Sequence, residues 1–216
     1  MSLSRTYQAF LFDMDGTLIT STAAAERVWT RWAARHGLDA ATFVPTIHGV
    51  RAADTIRRQK LPGVDVEAET AWVERGEIED LEGVAPIPGA VDFVRRLPPE
   101  RWAVVTSATT ALASARMRAA GIEPPKIMIT AEDVTRGKPD PAGYRLAAER
   151  LGVDVAECLV FEDAEAGIEA GEAAGADVVV ITAAWTHSLE TTHPTTADYA
   201  DLRLEVDAAG ALTIQG

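Results

Sequence analysis

Lysine is nearly absent from this chain. Lys60, Lys126 and Lys138 are all it has in 216 residues, against 33 acidic side chains and a formal net charge of −13. A phosphate backbone is gripped by clustered basic side chains, so this balance argues against a nucleic-acid partner. Cysteine is scarcer still. The single Cys158 excludes a disulfide within the chain, and its place in the apolar run Cys158-Leu159-Val160-Phe161 fits a buried thiol. Long hydrophobic runs are missing too: none approaches the ~18 residues of a membrane helix. Met1 to Tyr7 lacks a basic region followed by an apolar signal segment. The expectation is a cytoplasmic protein with no membrane partner. What is present is 47% hydrophobic residues, enough to bury one large domain or a core with a small insert.

Short, wholly apolar runs recur at Ala9 to Phe12, Trp102 to Thr106, Ile127 to Thr130, Leu159 to Phe161 and Val178 to Ile181. Ala-rich helical patterns separate the later four. This is the βαβ rhythm of an α/β fold, a Rossmann-like parallel sheet covered by helices on both faces. Near the end, Leu202 to Val206 alternates, Asp207 to Gly210 supplies turn residues, and Ala211 to Ile214 follows, which predicts an antiparallel hairpin at a sheet edge. Between the first and second runs lie about eighty residues with helical stripes such as Val28, Trp29 and Trp32, a stop at Gly37, and a further helix over 65–81. The Pro/Gly-rich stretch Gly83 to Gly89 then returns the chain to the core. The expected organisation is a core of residues 1–19 plus 86–216 and a helical cap of residues 20–85.

Ligands of open α/β sheets bind at the carboxyl ends of the strands. Asp13 and Asp15 follow the first strand, and period-two alternation would let both leave it on one side, with Gly16 allowing an immediate turn. Thr106-Ser107-Ala108-Thr109 follows the second, Gly137-Lys138-Pro139-Asp140-Pro141 lies beyond the third, and Glu162-Asp163 follows the fourth. Crowded carboxylates call for a cation between them or a retained proton. Magnesium, a hard cation with oxygen ligands, suits Asp13, Asp163 and Glu162. Ser107, with backbone amides at the start of the next helix such as that of Ala108, and Lys138 suit phosphate oxygens. Glu162-Asp163 fits capping of the following helix as well, a role compatible with metal binding.

The motifs DMDGT, VVTSAT, GKPDP and FEDAEAG, in this order from residue 13 to 167, resemble those of the haloacid dehalogenase superfamily, in its phosphatase branch with a small helical cap. That resemblance implies Asp13 as a nucleophile forming an aspartyl-phosphate and Asp15 as the acid and base. It implies magnesium held by Asp13, the backbone carbonyl of Asp15, Glu162 and Asp163, with Ser107, Ala108 and Lys138 on the phosphoryl group. The stretches His48-Gly49-Val50-Arg51, Arg101 to Ser107 and Thr130 to Val134 look like the sugar- and polyol-phosphate phosphatases, a subgroup that includes glycerol-3-phosphate and 2-deoxyglucose-6-phosphate phosphatases. On that likeness His48, Gly49 and Arg51 bind substrate, a small phosphate ester, and the chain works as a monomer or weak homodimer. Thr20 and Ala164 depart from the pattern, since many relatives carry Asp and Ser there.

Three other readings are open. A β-phosphoglucomutase-like phosphomutase would use the same nucleophile, but Thr22 to Glu26 lacks the His such enzymes carry after the first motif. A phosphonate hydrolase would need a cap amine, for which Lys60 is the candidate. A non-catalytic metabolite-binding regulator would have little need for the second carboxylate. Trp29 and Trp32 fit the cap core better than a sugar platform, and His187 and His193, in a Thr-rich loop, receive no role.

Overall fold

The computed structural model describes residues 5–185 and 191–215, so His187 lies outside the described residues. The chain opens with β1 (Ala9–Phe12) and the two-residue β2 (Ile19–Thr20), then runs through α1 (Thr22–Arg35), α2 (Ala40–Phe43), α3 (Ala52–Arg58) and α4 (Val66–Glu79). It returns by β3 (Ala85–Pro86) and α5 (Ala90–Arg95) to β4 (Trp102–Val105), α6 (Thr110–Ala119) and β5 (Met128–Ile129). Next come α7 (Ala142–Leu151), β6 (Cys158–Glu162), α8 (Glu165–Ala174) and β7 (Asp177–Ile181), and last β8 (Thr195–Thr196), β9 (Arg203–Val206) and β10 (Leu212–Gln215).

Six strands form one parallel sheet in the order β5-β4-β1-β6-β7-β8. Every residue of β1 is buried, as the unbroken apolar run requires of a strand covered on both faces. Phe10 and Phe12 point to one face, where they meet Phe93, Phe161 and Tyr199; the Phe12 and Phe161 rings stack 4.5 Å apart. Ala9 and Leu11 point to the other, among Tyr144 and Ala147 of α7 and Ile168 of α8. Because β4 flanks β1 on one side and β6 on the other, the chain direction around the sheet reverses at β1, and a crevice opens at its carboxyl end.

Helices α1 to α4 bury a separate aromatic cluster. Val28, Trp29 and Trp32 of α1 pack with Phe43, Ile47, Ile56 and Val73, and α1 gives way at Gly37, whose φ of +67° favours glycine. Asp65 starts α4 by accepting from the amides of Glu67 and Ala68. The segments that enter and leave this insert pair with each other as β2 and β3.

The predicted C-terminal hairpin is present as β9 and β10. It makes its own two-stranded sheet, joined to the main one through a Tyr7–Leu212 bridge, while β8 takes the sheet edge. Leu204, Leu212 and Ile214 pack into the Phe10–Phe12 face. Among the described residues no helix is long and apolar enough to cross a membrane.

Candidate active site

Asp13 directly follows β1, and its amide donates to the carbonyl of Phe161 on β6, so its backbone is fixed by the sheet itself. Lys138 Nζ lies 2.5 Å from Asp13 Oδ1 and 2.6 Å from Glu162 Oε1, with its side chain only 7% exposed. Tyr144, from α7, donates its hydroxyl to the same Glu162 oxygen at 2.7 Å. The other Glu162 oxygen accepts from the amides of Asp163 and Ala164, the two residues before α8, whose first-turn amides receive no side-chain cap. Both its oxygens are therefore engaged, and no room is left beside them: a Cβ on Gly167 would lie 1.7 Å from Glu162 Oε1.

Asp163 is held differently. Its carbonyl accepts from Trp185 Nε1 at 2.7 Å, and Oδ1 accepts from Thr17 Oγ1 at 3.3 Å. Its carboxylate rests against Gly16, where φ is +91° and an added Cβ would fall 1.9 Å from Oδ2. Oxygens of Asp13, Glu162 and Asp163 all lie within 4.8 Å of one another.

Two carboxylates thus hold one ammonium, and a third, Asp163, lies beside them. Burial drives the Asp13 carboxyl well above its ordinary range; Lys138 opposes this, while Glu162 and Asp163 add to it. Asp163 is pushed up to about 8, first by burial and then by Glu162. Burial would lower Lys138, yet the attraction of Asp13 and Glu162 outweighs it and holds the ammonium above its usual value. A buried, all-oxygen donor set with unneutralised negative charge fits a hard divalent cation.

Asp15 takes other partners. Its Oδ1 accepts from Arg116 Nη1 at 3.1 Å and from the hydroxyl of Ser21. Arg116, buried in α6, also reaches Glu77 of α4 at 3.1 Å. Neither Arg116 nor Glu77 stands in a motif. The signal for both was a charge on an apolar stripe, Arg116 at three and four residues from Ala113 and Leu112, and Glu77 four from Val73.

His48, Gly49 and Arg51 all border the cavity above Asp13, as do Ser107 and Ala108, and most of them also bond to neighbours. Arg51 donates to the carbonyls of Thr135 and Val134, so its guanidinium ties the insert to the core loop while the side chain lines the cavity. Ser107 donates to the carbonyl of Gly49, which joins the two segments face to face. The amide of Ala108 donates to Thr106 Oγ1, and Thr109, not Ser107, caps α6. His48 Nε2 lies 3.5 Å from Glu26 Oε1. Trp32 is wholly buried in the insert, whereas Trp29 packs there and also lines the cavity. That cavity, about 610 Å³, lies between insert and sheet and is bordered by Asp13, Asp15, Lys138 and Asp163 on one side.

A family model described as haloacid dehalogenase-like hydrolase matches residues 7–175. The chain is 41% identical over 180 residues to hexitol phosphatase A of Escherichia coli (strain K12), covering 82% of this chain and 83% of that protein. It is 35% identical over 200 residues to 2-deoxyglucose-6-phosphate phosphatase 1 of Saccharomyces cerevisiae, covering 83% and 81%. The crystal structure of a hydrolase from Pseudomonas syringae superposes with a TM-score of 0.71 at 26% identity, covering 82% of this chain and 84% of that one. With motifs, fold and relatives in agreement, the chain belongs to the haloacid dehalogenase-like hydrolases.

Proposed function

We propose that this chain is a magnesium-dependent phosphatase for sugar or polyol monophosphates, with Asp13 as nucleophile and Asp15 as acid and base. The observation that carries the reading is the meeting of Asp13, Lys138 and Asp163 at the carboxyl end of β1, beneath a cavity that Asp15 also borders. In this reading a carboxylate oxygen of Asp13 attacks phosphorus and the ester oxygen leaves with a proton from Asp15. Asp15 then takes a proton from water, which displaces phosphate from Asp13. Lys138 offsets the charge of Asp13 as the phosphoryl dianion arrives, and Glu162 holds Lys138 in place. Asp13, Asp163 and the carbonyl of Asp15 would hold magnesium, with Glu162 completing the acidic cluster. The metal would supply positive charge for the phosphoryl oxygens.

The insert, residues 20–85, acts as a cap on the core of residues 1–19 plus 86–216, supported by its own aromatic cluster and the paired β2–β3 entry. The cavity wall it provides favours a neutral, hydroxyl-rich leaving group. Among the described residues two of the cavity-lining arginines are paired with carboxylates, Arg57 with Asp54 and Arg116 with Asp15 and Glu77, while Arg51 donates to two carbonyls. Thr22, Glu26, Thr70 and Glu74 also border the space, and their hydroxyls and carboxylates match substrate hydroxyls rather than a second anionic group.

A release assay over hexitol, hexose and glycerol monophosphates, alongside sugar bisphosphates and phosphorylated carboxylic acids, with and without magnesium, tests this. The expected result is magnesium-dependent phosphate release with at least about tenfold higher kcat/KM for the monophosphates, the cost of one misplaced like charge. Isomerisation of a hexose phosphate without release would identify a mutase. Absence of release from every ester would leave a binding protein.

A further inference from the structure

Glu77 and Arg116 stand where α4 and α6 otherwise bury apolar side chains, their own side chains 8% and 6% exposed. Charges in such places persist only when paired, and here each satisfies the other across the boundary between insert and core. The Arg116 Nε is buried without a partner, so the two carboxylates, Glu77 on one terminal nitrogen and Asp15 on the other, place the guanidinium. On Asp15 both donors, Arg116 and Ser21, fall on Oδ1, and Oδ2 has no partner among the described residues. Ser21 is the residue before α1, directly after the entry strand β2. One oxygen of Asp15 is thus gripped by two groups whose own positions depend on the insert, and the other is left to work.

We infer that Glu77 and Arg116 are positioning residues that make a seated cap the condition for presenting Asp15 Oδ2 to the leaving oxygen. This rests on the proposed acid and base role of Asp15. With the cap lifted, Glu77 withdraws from Arg116, the guanidinium loses one of its two anchors, and Asp15 loses its fixed rotamer. A sugar or polyol alkoxide departs only with a proton, so its expulsion waits for the cap; an aryl oxide departs without one. A geometric error of about 1 Å in a catalytic group costs about a hundredfold.

The test compares an alkyl with an aryl ester: the faster of sorbitol 6-phosphate and glycerol 1-phosphate, against p-nitrophenyl phosphate. In Glu77→Ala, kcat/KM for the alkyl ester is expected to fall at least tenfold and that for p-nitrophenyl phosphate less than threefold. Glu77→Gln, which keeps the Oε1 acceptor, should recover most of the loss. Should Glu77→Ala lack the native circular dichroism spectrum, Arg116→Lys is expected to show the same split, since one ammonium cannot span both carboxylates. An equal loss on both esters, or no loss on either, overturns the inference while leaving the phosphatase reading standing. A wild-type protein inert to both esters overturns that reading and the inference with it.

Discussion

Lys138 Nζ bridges Asp13 Oδ1 and Glu162 Oε1 at 2.5 and 2.6 Å, so one ammonium stitches the end of β1 to the end of β6. Tyr144 supports the same junction, its ring 5.4 Å from the ammonium and its hydroxyl on Glu162. Removing the ammonium leaves two buried carboxylates facing each other. Lys138→Ala is expected to lose activity and about 3–5 kcal/mol of stability, the cost of breaking a buried pair from one side. Urea unfolding of the metal-free protein checks the figure, and added magnesium should return part of it. A variant as stable as the wild type would show that the junction is held by packing alone.

Asp13→Asn keeps the shape of the side chain and its acceptor oxygen but has no carboxylate to attack phosphorus. Phosphate release should fall by at least about 10³-fold with the circular dichroism spectrum unchanged. Retention of more than a tenth of the turnover would remove Asp13 as nucleophile.

Gly167→Ala should disturb the centre from outside the motif acids. The new methyl would occupy the space of Glu162 Oε1, on a carboxylate already tied to Lys138, Tyr144 and two amides. Overpacking of this kind costs about 1–3 kcal/mol, and the displaced Lys138 should lower kcat/KM more than tenfold. Thermal melts and steady-state kinetics measure both. A drop in melting temperature without a kinetic effect would separate Gly167 from the centre.

Cys158 is completely buried at the start of β6, and burial followed by the nearby Asp154 and Glu157 pushes its thiol up to about 12. Its folded pKa is therefore above the unfolded one, so its contribution to stability is complete below about pH 9 and is lost as pH rises towards 12. At pH 8 the native protein should react with a thiol-specific disulfide reagent at least about a hundredfold more slowly than the urea-unfolded chain, because the thiolate is the nucleophile. Equal rates would mean that β6 opens readily.

The two kinds of knowledge divide along the chain's own geometry. Local spacing determined five strands of the sheet within one or two residues, the helical insert, the hairpin, and the position of Asp13, Asp15, Lys138 and Asp163 beyond strand ends, because alternation, turn residues and motif order are properties of neighbouring residues; the two-residue β2, β3 and β8 are too short to carry such a pattern. In a parallel sheet those strand ends share one edge, so the motifs had to converge. The sequence left open which way the long side chains turn. Arg51 binds carbonyls of the core loop, Ser107 faces Gly49, and Arg116 joins Asp15 to Glu77, each across 39 or more residues of chain. Those choices depend on how the insert lies over the sheet. Only the tertiary structure decides that, because a buried charge takes whichever opposite charge or carbonyl the packing brings within about 3 Å, whatever the distance along the chain.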